Sequence, residues 1–187
     1  DLPLSRGLGD VYKRQGEYTI AQARRNNNCN YIGVDIKGQR VWRGAKTIND
    51  EDIRNVAFLR TRIEFIERFF APGEVSEIWL TFSDPQPKDE KGTKRITSSV
   101  FIEQRYRNIL QPGSIIHIKS DSSLLYESSK ESYLEAGYQI NYDSDDVYGE
   151  LVKRVPDELR DLLEVRTFYE QMWLKLGKKI YYLQIQI

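Results

Sequence analysis

The chain has 187 residues, of which 28 are lysine or arginine and 28 are aspartate or glutamate. Hydrophobic residues make up 40% and charged residues 30%, which are globular values and exclude wholesale disorder. The balanced charge predicts no polyanion partner for the chain as a whole, so any contact with nucleic acid must come from a local patch.

Cysteine and histidine are too scarce for two common kinds of site. Cys29 is the single cysteine and His117 the single histidine. This excludes an internal disulfide and a Cys/His zinc site, and we expect no metal. No apolar run approaches the length of a membrane span, and no segment has the pattern of a secretory signal. We therefore expect a protein of the reducing cytoplasm without a membrane partner.

From Gly16 onwards the residue pattern predicts helices and strands in alternation. The predicted helices cover residues 17–25, 41–47, 63–70, 98–110, about 123–136, 157–164 and 168–176. The predicted strands cover residues 31–36, 56–59, 78–82, 115–118, 138–142 and 180–187. Strands separated by helices of this length indicate βαβ units. We therefore predict the α/β class, with a largely parallel sheet and helices on both of its faces.

The stretch 78–88 combines a strand with an abrupt stop. Its apolar first half, residues 78–82, is typical of a strand buried on both sides. Pro85 and Pro87 cannot donate to a sheet ladder and restrict the residues before them. Asp84 is therefore predicted to lie in a stiff loop at the carboxyl end of a central strand, where open α/β sheets bind ligands. The alternative is a plain strand-ending turn.

Three acidic residues, Asp35, Asp84 and Asp121, follow predicted strands. Because the carboxyl ends of parallel strands line one crevice, we expect these acids to converge. In nucleoside-binding sheets, an acid placed like Asp35 accepts hydrogen bonds from ribose hydroxyls. The alternative for Asp35 is a helix N-cap, and for Asp121, which precedes two serines and a helix, capping is the favoured interpretation.

Basic and aromatic residues lie near these acids in the sequence. The run from Lys88 to Arg95 is basic and could meet phosphate, although most exposed lysines are simply solvated. Near the end of the chain, residues 167–170 combine a hydroxyl, two rings and a carboxylate; the rings could stack on a base but are more often core residues. His117 lies in an apolar strand, which indicates a hydrogen-bonded core residue rather than a catalyst.

Four segments in order along the chain resemble one known family. They are residues 31–38, 78–88, 119–126 and 166–170. They are similar to segments of the bacterial tRNA (guanine-N7-)-methyltransferases, which transfer a methyl group from S-adenosylmethionine to N7 of a guanine in the tRNA variable loop. The resemblance implies a Rossmann-like class I methyltransferase sheet with an antiparallel C-terminal strand, tRNA as partner and a cytoplasmic location. It leaves the oligomeric state open.

The resemblance also implies residue roles. Asp84 matches the catalytic aspartate, which also borders the cofactor. The implied cofactor-binding residues are Gly16, Asp35 and Thr61, and the implied substrate-binding residues are Lys88, Asp121, Thr167, Phe168, Tyr169 and Glu170. The chain departs from the family at Thr61, where many members have an acidic residue. It also departs in the catalytic motif, where Ser83 replaces a proline and the motif's tryptophan is absent.

The N-terminal segment differs from the family. Residues 1–15 contain neither a strand pattern nor the Glu-x-Gly-x-Gly-x-Gly turn that the family places before the position of Gly16. We expect residues 1–15 to be a disordered or artefactual non-family segment and residues 16–187 to form the methyltransferase domain. The family's first strand and glycine-rich turn would then be missing.

Two other functions remain open on the residues alone. One is an S-adenosylmethionine-dependent methyltransferase of another substrate class, because residues 83–86 loosely match the Asp-Pro-Pro-Tyr motif of amino-group methylases, without its aromatic. The other is a non-catalytic RNA-binding remnant, which the atypical N-terminus favours. A nicotinamide dehydrogenase is disfavoured because the Gly-x-Gly-x-x-Gly turn is missing.

Overall fold

The computed structural model describes residues 16–86 and 95–187. They divide into two compact units. The first unit contains the described residues up to Ile63 together with Val165–Phe168, and the second contains those of Glu64–Glu164 with Tyr169–Ile187. Residues 1–15 lie outside the described part, so the expectations about them and about a missing first strand stay predictions.

The first unit is built on two parallel strands with two helices. Its elements are α1 (Glu17–Arg25), β1 (Tyr31–Asp35), α2 (Gly38–Asp50) and β2 (Val56–Arg60). β1 and β2 pair in register from Tyr31 opposite Val56 to Asp35 opposite Arg60. Both strands and both helices were predicted from the sequence, although α2 begins earlier and ends later than its predicted bounds of 41–47.

Glycines let these elements close around one aromatic ring. A Cβ atom added to Gly16, Gly33 or Gly44 would lie 2.7, 2.5 or 2.4 Å from the Phe58 ring, closer than real Cβ contacts allow. Gly16 also has φ +88°, a conformation that disfavours any larger residue. The start of α1, the middle of β1 and the middle of α2 therefore all pack on Phe58.

β1 is less covered than its apolar sequence predicts. Ile32 is 46% exposed, although the sequence 31–36 is typical of a strand buried on both faces. Within the described residues, β1 pairs with β2 alone. In doubly wound sheets the first strand lies beside the second.

The second unit contains a four-stranded sheet. Its regular elements are β3 (Val75–Thr81), α3 (Ser99–Phe101), β4 (Leu110–Ser120), α4 (Ser123–Glu135), β5 (Gln139–Ser144), α5 (Asp157–Leu163) and β6 (Tyr181–Gln186). Helix α6 (Phe168–Lys175) begins in the first unit and continues into the second. The strand order is β3-β4-β6-β5. β3 and β4 are parallel, and β6 is antiparallel to both β4 and β5. This confirms the predicted α/β fold with a mostly parallel sheet and an antiparallel C-terminal strand.

The two faces of this sheet are covered by different elements. Tyr181 and Tyr182 are neighbours on β6 and point to opposite faces. The ring of Tyr181 lies 5.1 Å from that of Tyr126 on α4. Tyr182 belongs instead to a buried cluster that includes Leu159 and Leu163 of α5. The prediction of helices on both faces is therefore confirmed for this sheet.

The predicted helix 98–110 is wrong in its second half. The α-helical part ends at Phe101 and continues as a π-helix over Ile102–Tyr106. Leu110 already belongs to β4, opposite Val75. The amphipathic pattern continues past Tyr106, but sheet pairing at Leu110 overrides it. The predicted helix 63–70 is likewise a short 3₁₀-helix, Ile63–Arg68. No helix in the described ranges is long and apolar enough to span a membrane.

Candidate active site

Asp84 lies in a short, strained loop after β3. The last strand-like contact is the Phe82 amide, which donates to the Lys119 carbonyl over 2.8 Å. Phe82 and Gln86 have φ values of +51° and +41°, which non-glycine residues rarely adopt. The Asp84 carboxylate accepts a hydrogen bond from the Gln86 amide over 3.0 Å and is exposed to solvent. Backbone strain of this kind concentrates at functional sites.

A buried arginine holds this loop. The Arg95 side chain donates from Nε to the Pro85 carbonyl over 2.8 Å and from Nη2 to the Gln86 carbonyl over 3.2 Å. Arg95 is only 7% exposed. The prediction that Arg95 could meet phosphate is therefore wrong, because its guanidinium is buried against the loop backbone. Lys88, Lys91 and Lys94 lie outside the described residues, so the predicted substrate role of Lys88 is untested.

Asp121 follows β4 at the same edge of the sheet. β4 ends at Ser120, and its neighbour β3 runs parallel to it, with Thr81 opposite Lys119. Asp84 and Asp121 therefore follow the carboxyl ends of adjacent strands. The cap of α4 is Ser122, whose hydroxyl accepts from the Leu125 amide. The capping interpretation of Asp121 is wrong, because the neighbouring serine fills that position.

Glu170 is buried rather than open to a ligand. Glu170 and Lys119 are both fully buried, and the Lys119 ammonium lies 2.7 Å from Glu170 Oε1. The hydroxyl of Tyr148 donates to the same carboxylate over 2.5 Å. In this arrangement Glu170 contacts protein groups, whereas the preceding Tyr169 is 39% exposed. Tyr169 and Glu170 are the two predicted substrate residues of segment 167–170 that belong to the second unit, and only Tyr169 is accessible to a ligand.

In the first unit, Asp35 and Thr61 share one edge. Asp35 is opposite Arg60 in the β1–β2 register, and Thr61 follows β2 directly. Asp35 does not cap α2, whose N-cap residue is Lys37 without a side-chain hydrogen bond. Its carboxylate accepts from the Lys37 amide over 2.8 Å and from Arg40 over 3.2 Å. The N-cap alternative for Asp35 is therefore wrong.

Gly16, Thr167 and Phe168 also belong to the first unit. Gly16 precedes α1, and the carboxylate of the next residue, Glu17, accepts a hydrogen bond from the Phe168 amide over 3.0 Å. The first residue of α1 thus holds the start of α6. Sequence reasoning gave Glu17 no role. The available signal was the position of Glu17 at a helix start, directly after the glycine of a predicted turn.

Sequence reasoning also missed the role of Lys119. A lysine at the end of the apolar strand segment 115–118 is a charge in a buried position, and such a charge requires a counter-ion. Its partner Glu170 lies in a motif that was assigned to substrate. Among the described residues, no group of three or more His, Cys, Asp or Glu side chains could hold a metal ion.

His117 is a core residue, as predicted. It is buried, stacks on Trp79 with ring centroids 3.8 Å apart, and shares a hydrogen bond of 2.6 Å between Nδ1 and the Tyr182 hydroxyl. Its Nε2 lies 3.2 Å from Glu77. Burial lowers the pKa of His117, and the neighbouring Glu77 carboxylate only partly opposes that shift. A neutral imidazole with the proton on Nε2 satisfies both contacts.

The predicted site residues thus form one group in each unit. Asp35 and Thr61 share an edge in the first unit, whereas Asp84 and Asp121 share an edge in the second. The predicted convergence of all three acids on one crevice stays a prediction. Each group has the polar side chains at the carboxyl ends of parallel strands, where α/β proteins bind ligands.

The sequence matches a known family model and several named relatives. The family model Methyltransf_4, described as "Putative methyltransferase", matches residues 10–183. A tRNA (guanine-N(7)-)-methyltransferase of Bacteroides thetaiotaomicron is 46% identical over 173 residues, which are 92% of this chain and 65% of the relative. One of Christiangramia forsetii is 44% identical over 92% of this chain and 75% of the relative.

Solved structures support the fold. A crystal structure of the 16S rRNA methyltransferase KamB matches with a TM-score of 0.61 and 16% identity, over 94% of this chain and 84% of the other. At this identity the match shows the fold alone. The chain spans somewhat less than two thirds of the length of the Bacteroides thetaiotaomicron relative. The identities to the named relatives and the family model together show that this chain belongs to the tRNA (guanine-N7-)-methyltransferase family.

Proposed function

We propose that this protein transfers a methyl group from S-adenosylmethionine to N7 of a guanine in tRNA. Relatives of 44% and 46% identity are named tRNA (guanine-N(7)-)-methyltransferase, which supports the assignment. The observation that carries the proposal is the placement of Asp84 and Asp121 after adjacent parallel strands. Asp84 is exposed there in a strained loop that Arg95 holds, so its carboxylate is both accessible and fixed.

The hydrogen-bond acceptors of the first unit fit a cofactor that carries a ribose. A carboxylate has about four lone-pair sites, and the hydrogen bonds from Lys37 and Arg40 use two of those on Asp35. The remaining sites are available to the two ribose hydroxyls of S-adenosylmethionine. When bound, this cofactor supplies an electrophilic methyl group on a sulfonium. We propose Asp35 as its ribose ligand, with Thr61 and Gly16 beside it.

Asp84 would orient the guanine. N7 of guanine has a free lone pair and loses no proton before attack, so the protein must chiefly position the base in line with the methyl group. The Asp84 carboxylate can accept hydrogen bonds from the guanine N1–H and the exocyclic amine. The new bond to N7 leaves positive charge on the purine, which a nearby carboxylate stabilises. We propose Asp84 as the catalytic residue in this sense.

The other predicted substrate residues would hold the RNA. Asp121 lies at the same sheet edge as Asp84, and Tyr169 is a partly exposed ring that can stack on a base. Thr167 and Phe168 precede Tyr169, and Lys88 follows the Asp84 loop in the chain. We propose all five as RNA contacts. A protein of this activity belongs in the cytoplasm with its tRNA, and we propose that location.

The test is methyl transfer from labelled S-adenosylmethionine to purified acceptors. We expect label in unmodified tRNA, as N7-methylguanosine after nuclease digestion, and none in duplex or single-stranded DNA. Label in DNA or in an amino group would instead indicate a methyltransferase of another substrate class. Binding of tRNA without any transfer would indicate a non-catalytic RNA-binding remnant, and either result would overturn the proposal.

A further inference from the structure

We propose that the buried Lys119–Glu170 pair positions the proposed RNA contacts of the second unit and that Glu170 does not itself touch the substrate. This inference rests on the proposed function. The two side chains form an ion pair of 2.7 Å in which both groups are fully buried. Such a pair is costly to desolvate, so its presence next to site residues needs a reason beyond stability.

The hydrogen bonds around Lys119 form a closed network. Its ammonium has three N–H donors, and it has three acceptors: Glu170 Oε1 at 2.7 Å, the Leu163 carbonyl at 2.7 Å and the Tyr148 hydroxyl at 3.2 Å. The Tyr148 hydroxyl in turn donates to Glu170 over 2.5 Å. Because every N–H donor of the buried ammonium is used, the Lys119 side chain is held rigidly. A rigid side chain can in turn fix the position of the residues around it.

The network joins four segments of the second unit. Lys119 lies on β4, Tyr148 in the turn after β5, Leu163 at the end of α5 and Glu170 in the first turn of α6. Lys119 is two residues before Asp121, and Glu170 is next to Tyr169. The ion pair therefore fixes the backbone at two proposed RNA contacts at once.

Burial decides between a direct and an indirect role for Glu170. A carboxylate that receives guanine or ribose must reach the ligand, but the Glu170 side chain has no exposed surface. Its acceptor Oε1 is already used by Lys119 and Tyr148. The geometry points to Glu170 as an anchor that orients Tyr169 and to Lys119 as the counter-charge that holds the anchor in place.

The test uses the double variant Lys119→Met/Glu170→Gln in the full chain. Each single variant leaves one buried charge without its counter-ion, which destabilises strongly, whereas the double variant removes both charges together. A second, milder variant, Tyr148→Phe, keeps the ion pair and removes one hydroxyl. The matched control is Tyr182→Phe, which removes a buried hydroxyl that bonds to His117 on the same strand, β4.

Five quantities are measured: kcat and KM for tRNA, the Kd for S-adenosylmethionine, amide hydrogen exchange over residues 168–171, and the thermal midpoint. For the double variant we expect at least a tenfold lower kcat, faster exchange over 168–171 and a cofactor Kd within twofold of wild type. Tyr148→Phe should lower kcat about threefold. Tyr182→Phe should lower the thermal midpoint and leave kcat within twofold.

Three results would overturn the inference. The first is a wild-type kcat in the folded double variant. If that variant does not fold, a wild-type kcat in Tyr148→Phe has the same meaning. The second is a loss of kcat in Tyr182→Phe as large as in the double variant, because the effect would then be general destabilisation. The third is a wild-type chain that transfers no methyl group to tRNA. Because that result is seen in the unmutated protein, it shows that the proposed function is wrong and is distinct from a failure of the Lys119–Glu170 inference alone.

Discussion

Asp84 owes its proposed role to its backbone as much as to its carboxylate. Two non-glycine residues with positive φ, Phe82 and Gln86, flank it, and each such residue costs on the order of 1 kcal/mol or more. Arg95 offsets part of that cost by donating to the Pro85 and Gln86 carbonyls. The loop is thus held in an otherwise unfavourable conformation that presents Asp84 to solvent.

Replacing the carboxylate of Asp84 tests its proposed role in the reaction. In Asp84→Asn we expect kcat/KM for tRNA to fall by roughly 100-fold or more, a size typical for loss of one positioned electrostatic group. The measurement is the initial rate of methyl transfer. Asp145→Asn is a suitable control, because Asp145 is an exposed acid of the same unit that pairs with Lys179. Full turnover in Asp84→Asn would remove Asp84 from the mechanism.

Asp121 and Ser122 are adjacent but should respond differently. Ser122→Ala removes the hydroxyl that caps α4, so we expect about 1 kcal/mol less unfolding free energy. Asp121→Asn should keep the stability of wild type and weaken tRNA binding. Chemical denaturation and tRNA titration of both variants check this. If Asp121→Asn were the destabilising change, Asp121 would have a structural role after all.

At the scale of elements, β4 connects core and site. Its residues face the core at His117 and the buried ion pair at Lys119, and the strand ends one residue before Asp121. Small changes in the β4 register would therefore move Asp121. The parallel pairing with β3 and the antiparallel pairing with β6 both fix that register.

His117 predicts how the second unit responds to acid. Burial lowers the folded pKa of His117 below its ordinary value of 6.5. The unfolded chain then binds a proton at higher pH than the folded chain does, so stability is full above about pH 6.5 and falls as the pH drops below it. We expect the thermal midpoint to decrease between pH 7 and pH 5.5. In His117→Gln this decrease should be smaller.

Glu77 contributes at lower pH. Burial raises its pKa, but the hydrogen bonds from His117 and Trp79 together bring it below the ordinary value of 4.5. Its stabilisation is present above about pH 4.5 and is lost as the pH falls through the folded pKa.

A pH profile of His117→Gln with the same slope as wild type between pH 7 and pH 5.5 would show that other groups cause the acid response.

The elements were predictable where pattern and turn residues agree. α1 matches its predicted bounds, and β1 and β2 match to within one residue, because Asn26–Asn28 and the apolar runs mark them clearly. The π-helix and the start of β4 at Leu110 were not predictable, because the pairing of Leu110 with Val75 depends on residues far apart in the sequence. The positions of the acids were predictable from strand ends, whereas the contacts of Arg95 and Lys119 join residues far apart in the sequence and leave no local pattern.

At the scale of the whole molecule, the proposal requires residues that bind the cofactor and residues that bind the RNA. Asp35 and Thr61 supply the first at the edge of β1 and β2, and Asp84 and Asp121 supply the second at the edge of β3 and β4. The relatives are longer than the matched region, and the chain spans 65% of the Bacteroides thetaiotaomicron protein. The proposed methyl transfer requires S-adenosylmethionine to bind this chain, so cofactor binding is the property to measure.

Calorimetric titration of S-adenosylmethionine into the tRNA-saturated chain measures that property directly. We predict one cofactor bound per chain, with affinity about tenfold weaker in Asp35→Asn, as expected for one lost charged hydrogen-bond acceptor. Heat from tRNA binding with none from the cofactor would contradict the account and leave an RNA-binding protein without methyl transfer.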